Sequence, residues 1–150
     1  MKRMLEMTIR KIWYRGAGVM LYRMTPDGEC RVILFRRANN PDKGKYSVIG
    51  GKMDDRDKGD YSGTAARETR EEVGISMSVP EDCPTITINL IFFKWKTFYI
   101  HYAGRIDRSR FSRSEIEDFI ELPLEEAIRR PDLARFMRGT LVKLRTVVQT

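Results

Sequence analysis

Three glutamates fall within one helical turn in the stretch ARETREEVGI, residues 66 to 75, although the chain as a whole carries a net charge of +7. At about 100° per residue, Glu71 lies roughly 60° to one side of Glu68 and Glu72 about 40° to the other, so all three project from one face. Like charges at i,i+4, as at Glu68 and Glu72, destabilise an isolated helix by a few tenths of a kcal/mol. Two explanations compete. The flanking arginines compensate, giving a solvated, salt-bridged helix of a common kind, or a ligand needs those oxygens together. Arg67 and Glu71 are i,i+4 neighbours, so that arginine can tether one carboxylate and leave the others free. Three convergent oxygen donors suit a hard divalent cation, Mg²⁺ or Mn²⁺, whose charge would offset their repulsion.

The surroundings restrict the fold. Helix signals begin near Gly63 or Thr64 and end at Gly74, a natural left-handed cap, with Ala65, Thr69 and Val73 as a modest inward stripe. Upstream, residues 16–24 and CRVILFRR read as strands of a hairpin joined by the turn TPDGE. ANNPDKGK is a loop, YSVIGGKM a short strand ending in a glycine pair, and residues 54–62 a polar acidic loop. Downstream, TITINLIFFKW and TFYIHYAGRI suggest two strands, and FSRSEIEDFIEL a loop entering another. PLEEAIRR is a short helix. A longer one follows Pro131, with Leu133, Phe136, Met137, Leu141, Leu144 and Val148 as a core-facing stripe. The expected class is α/β, a mixed sheet between helical layers, in one domain spanning residues 1–150.

Composition excludes other classes. With 41% hydrophobic and 33% charged residues the chain can bury a core, unlike a disordered one. Its longest apolar stretches, AGVMLY and NLIFF, are too short to span a bilayer, and MKRMLEMTIRKI lacks a secretory apolar run, so the expectation is a cytoplasmic protein with no membrane partner. Two cysteines and a single histidine, His101, provide no zinc-ligand spacing. Residues 1–45 hold eleven Lys or Arg against four acids, which is the whole excess, because the remainder has seventeen of each sign. Such a basic third suits an anionic partner, though a solvated basic surface explains it equally well.

From Gly51 to Ile75, GKMDDRDKGDYSGTAARETREEVGI resembles the Nudix (MutT-like) signature, G-x5-E-x7-R-E-U-x-E-E-x-G-U, where U is apolar. Arg67, Glu68, Glu71, Glu72 and Gly74 match its second half, and Ile75 the final apolar position. The first half departs: Gly51 and Arg67 lie two residues further apart than in the pattern, and no glutamate stands at the first acidic position. Asp57 and Asp60 are the nearest acids, with Asp60 preferred. Ile49 replaces a frequent proline, and Thr69 an aliphatic residue.

The resemblance implies a Nudix-type α/β/α sandwich and hydrolysis of a nucleoside diphosphate linked to another group, with Mg²⁺ or Mn²⁺. It implies Glu68 and Glu72 as metal ligands, Glu71 as a further ligand or their support, the Gly51 carbonyl completing the set, and Arg67 orienting a carboxylate. The general base is Glu68 or an acid of the later loop, where Glu117 is preferred to Glu115. Arg36 and Arg37 stand where a phosphate-contacting arginine is common, and an alternating strand aims only one of them at the site. Tyr46 stands where an aromatic often precedes the signature, although a core aromatic reads as well. The resemblance also allows a homodimer. Two other functions compete: a nucleotide-binding module that hydrolyses poorly, supported by the missing glutamate and the longer loop, and an RNA 5′-end hydrolase, supported by the basic third. No strand shows the exposed aromatic and basic pattern of a single-strand binder, which ranks RNA behind small molecules.

Overall fold

The computed structural model describes residues 13–149; the N-terminal stretch through Ile12, with four of the eleven cations noted above, and Thr150 lie outside the described residues. Strand β1 (Tyr14–Met24) is the axis of the sheet. Its residues 21–24 pair antiparallel with β2 (Cys30–Arg37) and its residues 16–19 with β4 (Ile49–Lys52), both along one edge. On the other edge it runs parallel to β6 (Phe93–His101), which pairs antiparallel with β5 (Thr85–Leu90). The second half of β2 leaves β1 and is held by the two-residue β3 (Tyr46–Ser47) and by β7 (Ile116–Pro123).

Helices cover both faces, so the central strands read as almost continuous apolar runs. On one face Ala17, Val19, Leu21, Ile33, Phe35 and Ile49 pack beneath helix α1 (Tyr61–Val73), whose Ala65 and Val73 are fully buried. On the other, Met20, Val32, Leu34 and Tyr99 meet the short α2 (Leu124–Ile128) and α3 (Met137–Val148), through Leu141 and Leu144. Each such side chain contributes about 1.5–3 kcal/mol on burial. This is the α/β/α sandwich with a mixed sheet. Helix α1 starts two residues earlier than Gly63, because Asp60 caps it by accepting from the Ser62 amide at 3.1 Å. It ends as expected at Gly74, whose φ of +72° suits a residue without Cβ.

Two expected boundaries are corrected. The strands after Pro84 break at Ile91–Phe92, not between Trp95 and Thr97: Leu90 pairs with Phe93 across a two-residue turn in which Phe92 has φ +65°. No glycine or asparagine marks that turn, so residue preferences could not locate it. The last helix begins at Met137, not after Pro131. Residues 132–134 run along β3 instead, the Tyr46 amide donating to Asp132 and the Ala134 amide to Tyr46, each at 2.9 Å. Phe136, expected in the core stripe, is therefore exposed at the start of α3.

Candidate active site

The carboxylates of α1 divide into two environments. Arg67, itself nearly buried, grips Asp57 with two parallel bonds of 2.9 Å. The same guanidinium reaches Glu71 at 3.0 Å, Glu68 at 3.2 Å and the Lys52 carbonyl at 3.1 Å. It thus ties the loop after β4 to the helix, and it holds the Asp57 carboxyl down to about 2. Glu72 lies on the inner side, 7% exposed, and no described lysine or arginine pairs with it. Burial raises the pKa of both Glu72 and Glu68, and each is raised further by Glu115. For Glu72 the neighbouring Glu68 is the larger electrostatic cause, while a hydrogen bond from the Gly50 backbone works the other way. Glu68 lies so close over Gly51 that a Cβ there would be 2.4 Å from its carboxyl carbon. A side chain at that position would displace the Glu68 carboxyl group.

Across the sheet, Tyr14 lies within electrostatic reach of Glu68, Glu72 and Arg37, and burial raises its phenol pKa. Its ring stacks on Phe93 at 5.3 Å between centroids, and Phe93 on Phe136 at 6.0 Å. Together with Val48, Trp95 and Arg37 these residues line a cleft of about 220 Å³ beside α3. The indole of Trp95 lies over Gly16, Gly18 and Gly50. An aromatic slot thus backs onto a pair of buried carboxylates.

A family model described as the NUDIX domain matches residues 14–144, nearly the whole described chain. The chain belongs to the Nudix hydrolase family. No curated protein sequence matches it. Among solved structures it is similar to a Caenorhabditis elegans Ap4A hydrolase, with 22% identity, 91% of this chain and 98% of that one covered, and a TM-score of 0.65. It is similar to a MutT protein from Methanosarcina mazei, with 20% identity, 89% and 94% covered, and a TM-score of 0.64. The NUDIX domain of Shewanella oneidensis NrtR, complexed with ADP ribose, has 18% identity, 89% and 87% covered, and a TM-score of 0.66. At these identities the likeness is one of fold.

Within the Nudix box the structure corrects one acid. Asp60, preferred at the first acidic position, is committed to capping α1 through the Ser62 amide and hydroxyl. The acid that meets Arg67 is Asp57. Counting forward from Gly51 would have found it, since G-x5 leads directly to position 57; counting back from Arg67 lands on Gly59. The two extra residues of this Nudix box therefore lie between the acid and the helix, where Lys58 and Gly59 turn the chain with φ of +51° and +79°.

A second correction concerns the later loop. Glu117, preferred as base, pairs with Arg36 at 3.2 Å, whereas it is Glu115 whose charge acts on Glu68 and Glu72. The irregularity between Arg36 and Arg37 breaks the alternation expected of β2. Arg37 lines the cleft and donates to the Pro41 carbonyl at 2.7 Å, steadying the loop after β2. Tyr46 is outside the cleft: it packs in the second core beneath the Arg130 guanidinium, 5.1 Å from its ring centroid. The cleft aromatics Tyr14, Phe93, Trp95 and Phe136 were missed, because they converge from three elements and carry no signature.

The donor set fits a hard divalent cation. It consists of oxygens alone, with no sulfur or imidazole, and Arg67 reaches Glu68 while the buried Glu72 beside it has no described cationic partner. Among the described residues no three acidic, histidine or cysteine side chains already enclose a common point, so binding would draw Glu115 or Glu71 inward.

Proposed function

We propose that the protein is a divalent-metal-dependent pyrophosphohydrolase acting on a nucleoside diphosphate linked to a further group. The observation that carries this reading is the Glu68–Glu72 pair, in which Arg67 reaches only Glu68 and no described basic side chain pairs with the buried Glu72, against the Gly50–Gly51 backbone and beside an aromatic cleft. Glu68, Glu72 and the Gly51 carbonyl would hold Mg²⁺ or Mn²⁺, with Glu71 or Glu115 completing the set. When bound, such an ion neutralises the pyrophosphate and lowers the pKa of the attacking water. Arg67 keeps Glu68 and Glu71 in place by reaching both at once. Glu115 is the loop acid positioned to accept the proton of the water, and Glu68 is the alternative. The cleft receives the nucleoside, with the base against the rings of Trp95 and Phe136 and the phosphates directed past Tyr14 toward the glutamates. The Ap4A hydrolase and the ADP-ribose complex among the similar structures both concern ligands of this class, which supports the assignment.

The binding-module alternative rested on the missing acid at the head of the signature. Asp57 gripping Arg67 supports the hydrolase over that alternative, whose other support, the two-residue-longer loop, remains. The test is a panel of nucleoside triphosphates, nucleotide sugars and dinucleoside polyphosphates with Mg²⁺ or Mn²⁺, scored by release of phosphate or pyrophosphate. Glu72→Gln keeps the shape and should reduce turnover by at least about 10³-fold, the scale of a lost electrostatic contact in a transition state, with an unchanged fold by circular dichroism. Full activity in that variant would remove Glu72 from the metal site.

A further inference from the structure

Beyond the Nudix box lies a second groove, of about 700 Å³, bordered by Trp13, Arg15, Lys52, Tyr61 and Lys94. Lys94 and Lys96 occupy the same side of β6, about 7 Å apart along the strand. Both ammonium groups sit over the single ring of Tyr61 from α1, at 5.5 and 5.2 Å from its centroid. Arg15 is the direct cross-strand neighbour of Lys94, about 5 Å away. Like charges placed side by side on a sheet destabilise it. Several arginines elsewhere are matched, as at Arg23, Arg31, Arg67, Arg108, Arg130 and Arg145, whereas Arg70, Arg105 and Arg135 form no ion pair with a described carboxylate, so the groove is set apart by its rings and by the crowding of its cations. Arg15, Lys52 and Lys94, which line the groove, and Lys96, which borders the adjoining depression with Asp60 and Glu81, form no ion pair with a described carboxylate. Two acids share the rim: Asp54 is already held by Arg56 at 2.6 Å and Arg67 at 3.5 Å, and Asp55 faces the opening.

A row of cations interleaved with accessible rings, Trp13 at 41% exposure and Tyr61 beneath its lysines, is the chemistry of a single-stranded nucleic acid track: phosphates on the cations, bases on the rings. A compact anion would satisfy the cations but has no use for the rings. We propose that this groove binds single-stranded nucleic acid. The assignment is independent of the hydrolase reading. It also corrects the sequence expectation that no strand has the required pattern, because the pattern is divided between KWK of β6 and a tyrosine from a helix thirty-three residues earlier in the chain.

The full-length protein is titrated with a fluorescein-labelled uridine dodecamer, and anisotropy is followed at several KCl concentrations. The double variant Lys94→Ala/Lys96→Ala should weaken binding at least tenfold and lower the salt slope by about 1.4, two phosphate contacts at about 0.7 each. Tyr61→Leu should weaken binding about fivefold with the slope unchanged, and Tyr61→Phe, which keeps the ring, should bind as wild type. Lys143→Ala, on the exposed side of α3, should change nothing. Glu72→Gln should retain oligonucleotide binding while losing turnover, so the two readings fail separately. The proposal is overturned if wild type shows no binding at low salt, if the double variant keeps the wild-type affinity and slope, or if a duplex of equal charge binds as tightly as the single strand.

Discussion

Toward the C-terminal end of helix α1, Glu68 and Glu72 lie together within electrostatic reach of Glu115, with the Arg67 guanidinium at their margin. At the other end, Lys94 and Lys96 crowd one tyrosine ring and neither forms an ion pair with a described carboxylate. Between them Arg67 and Asp57 form a closed pair, each the other's best partner. The closed pair explains itself: it joins a loop to a helix and needs nothing from outside. The two less balanced clusters cost stability, and under the two proposals above a cation at one end and phosphates at the other would offset that cost.

The sharpest way to break that contrast is to test whether the acid that joins the unmatched cluster matters more than the acid that is matched. Glu115→Gln should lower kcat about 10²-fold or more with little change in KM, the usual scale of a lost proton acceptor. Glu117→Gln, which only releases Arg36, should stay within about twofold. Equal effects in the two variants would return the base to Glu68.

The sequence carried most of the scaffold and half of the site. Both strands of the first hairpin, the glycine cap at Gly74 and the inward stripe Ala65–Thr69–Val73 follow from alternation, turn residues and spacing, all of which are local. The glutamates of α1 were legible for the same reason. What failed was non-local or stereochemically atypical. The turn at Ile91–Phe92 uses two apolar residues, one of them left-handed, and the Tyr14 amide donates to the Phe92 carbonyl at 2.8 Å. Residues 131–136 look helical by spacing but are captured by β3. Glu115 and Glu117 have the same charge and lie two residues apart in sequence; the structure tells them apart by placing Glu117 in β7, paired with Arg36 across the sheet. The cleft rings come from β1, β6 and the start of α3, a convergence visible only in three dimensions.

The matched pair should dominate stability where the unmatched acids do not. Asp57→Ala leaves a nearly buried guanidinium short of two charge-assisted bonds, and it should cost about 2–3 kcal/mol in urea unfolding. Asp60→Ala removes only a helix cap and should cost about 1 kcal/mol. The reverse order would mean that Asp60, not Asp57, anchors the Nudix box loop.

The smallest effect, and the one that separates the two kinds of acid by sign, is the pH dependence of stability in chelator. The Asp57 carboxyl is lowered from 3.8 to about 2 by its bonds to Arg67. A depressed pKa contributes stability that is complete above the unfolded value and is lost as pH falls from about 4 toward 2, here about 2 kcal/mol at 1.4 kcal/mol per pKa unit. Glu68 and Glu72 are displaced upward, first by burial, and then by Glu71 and Glu115 at Glu68 and by Glu68 and Glu115 at Glu72. A raised carboxyl pKa has the opposite sign: the folded state keeps protons that the unfolded chain releases, so stability declines as pH rises above the unfolded value near 4.5. Asp57→Asn should therefore flatten the acid limb of the curve, and Glu72→Gln the limb above pH 4.5. Saturating Mg²⁺ should flatten that upper limb in the wild type as well, because a cation held by Glu68 and Glu72 favours their ionised form. If the upper limb is unchanged by both Glu72→Gln and Mg²⁺, those two carboxylates do not share a buried, cation-seeking site.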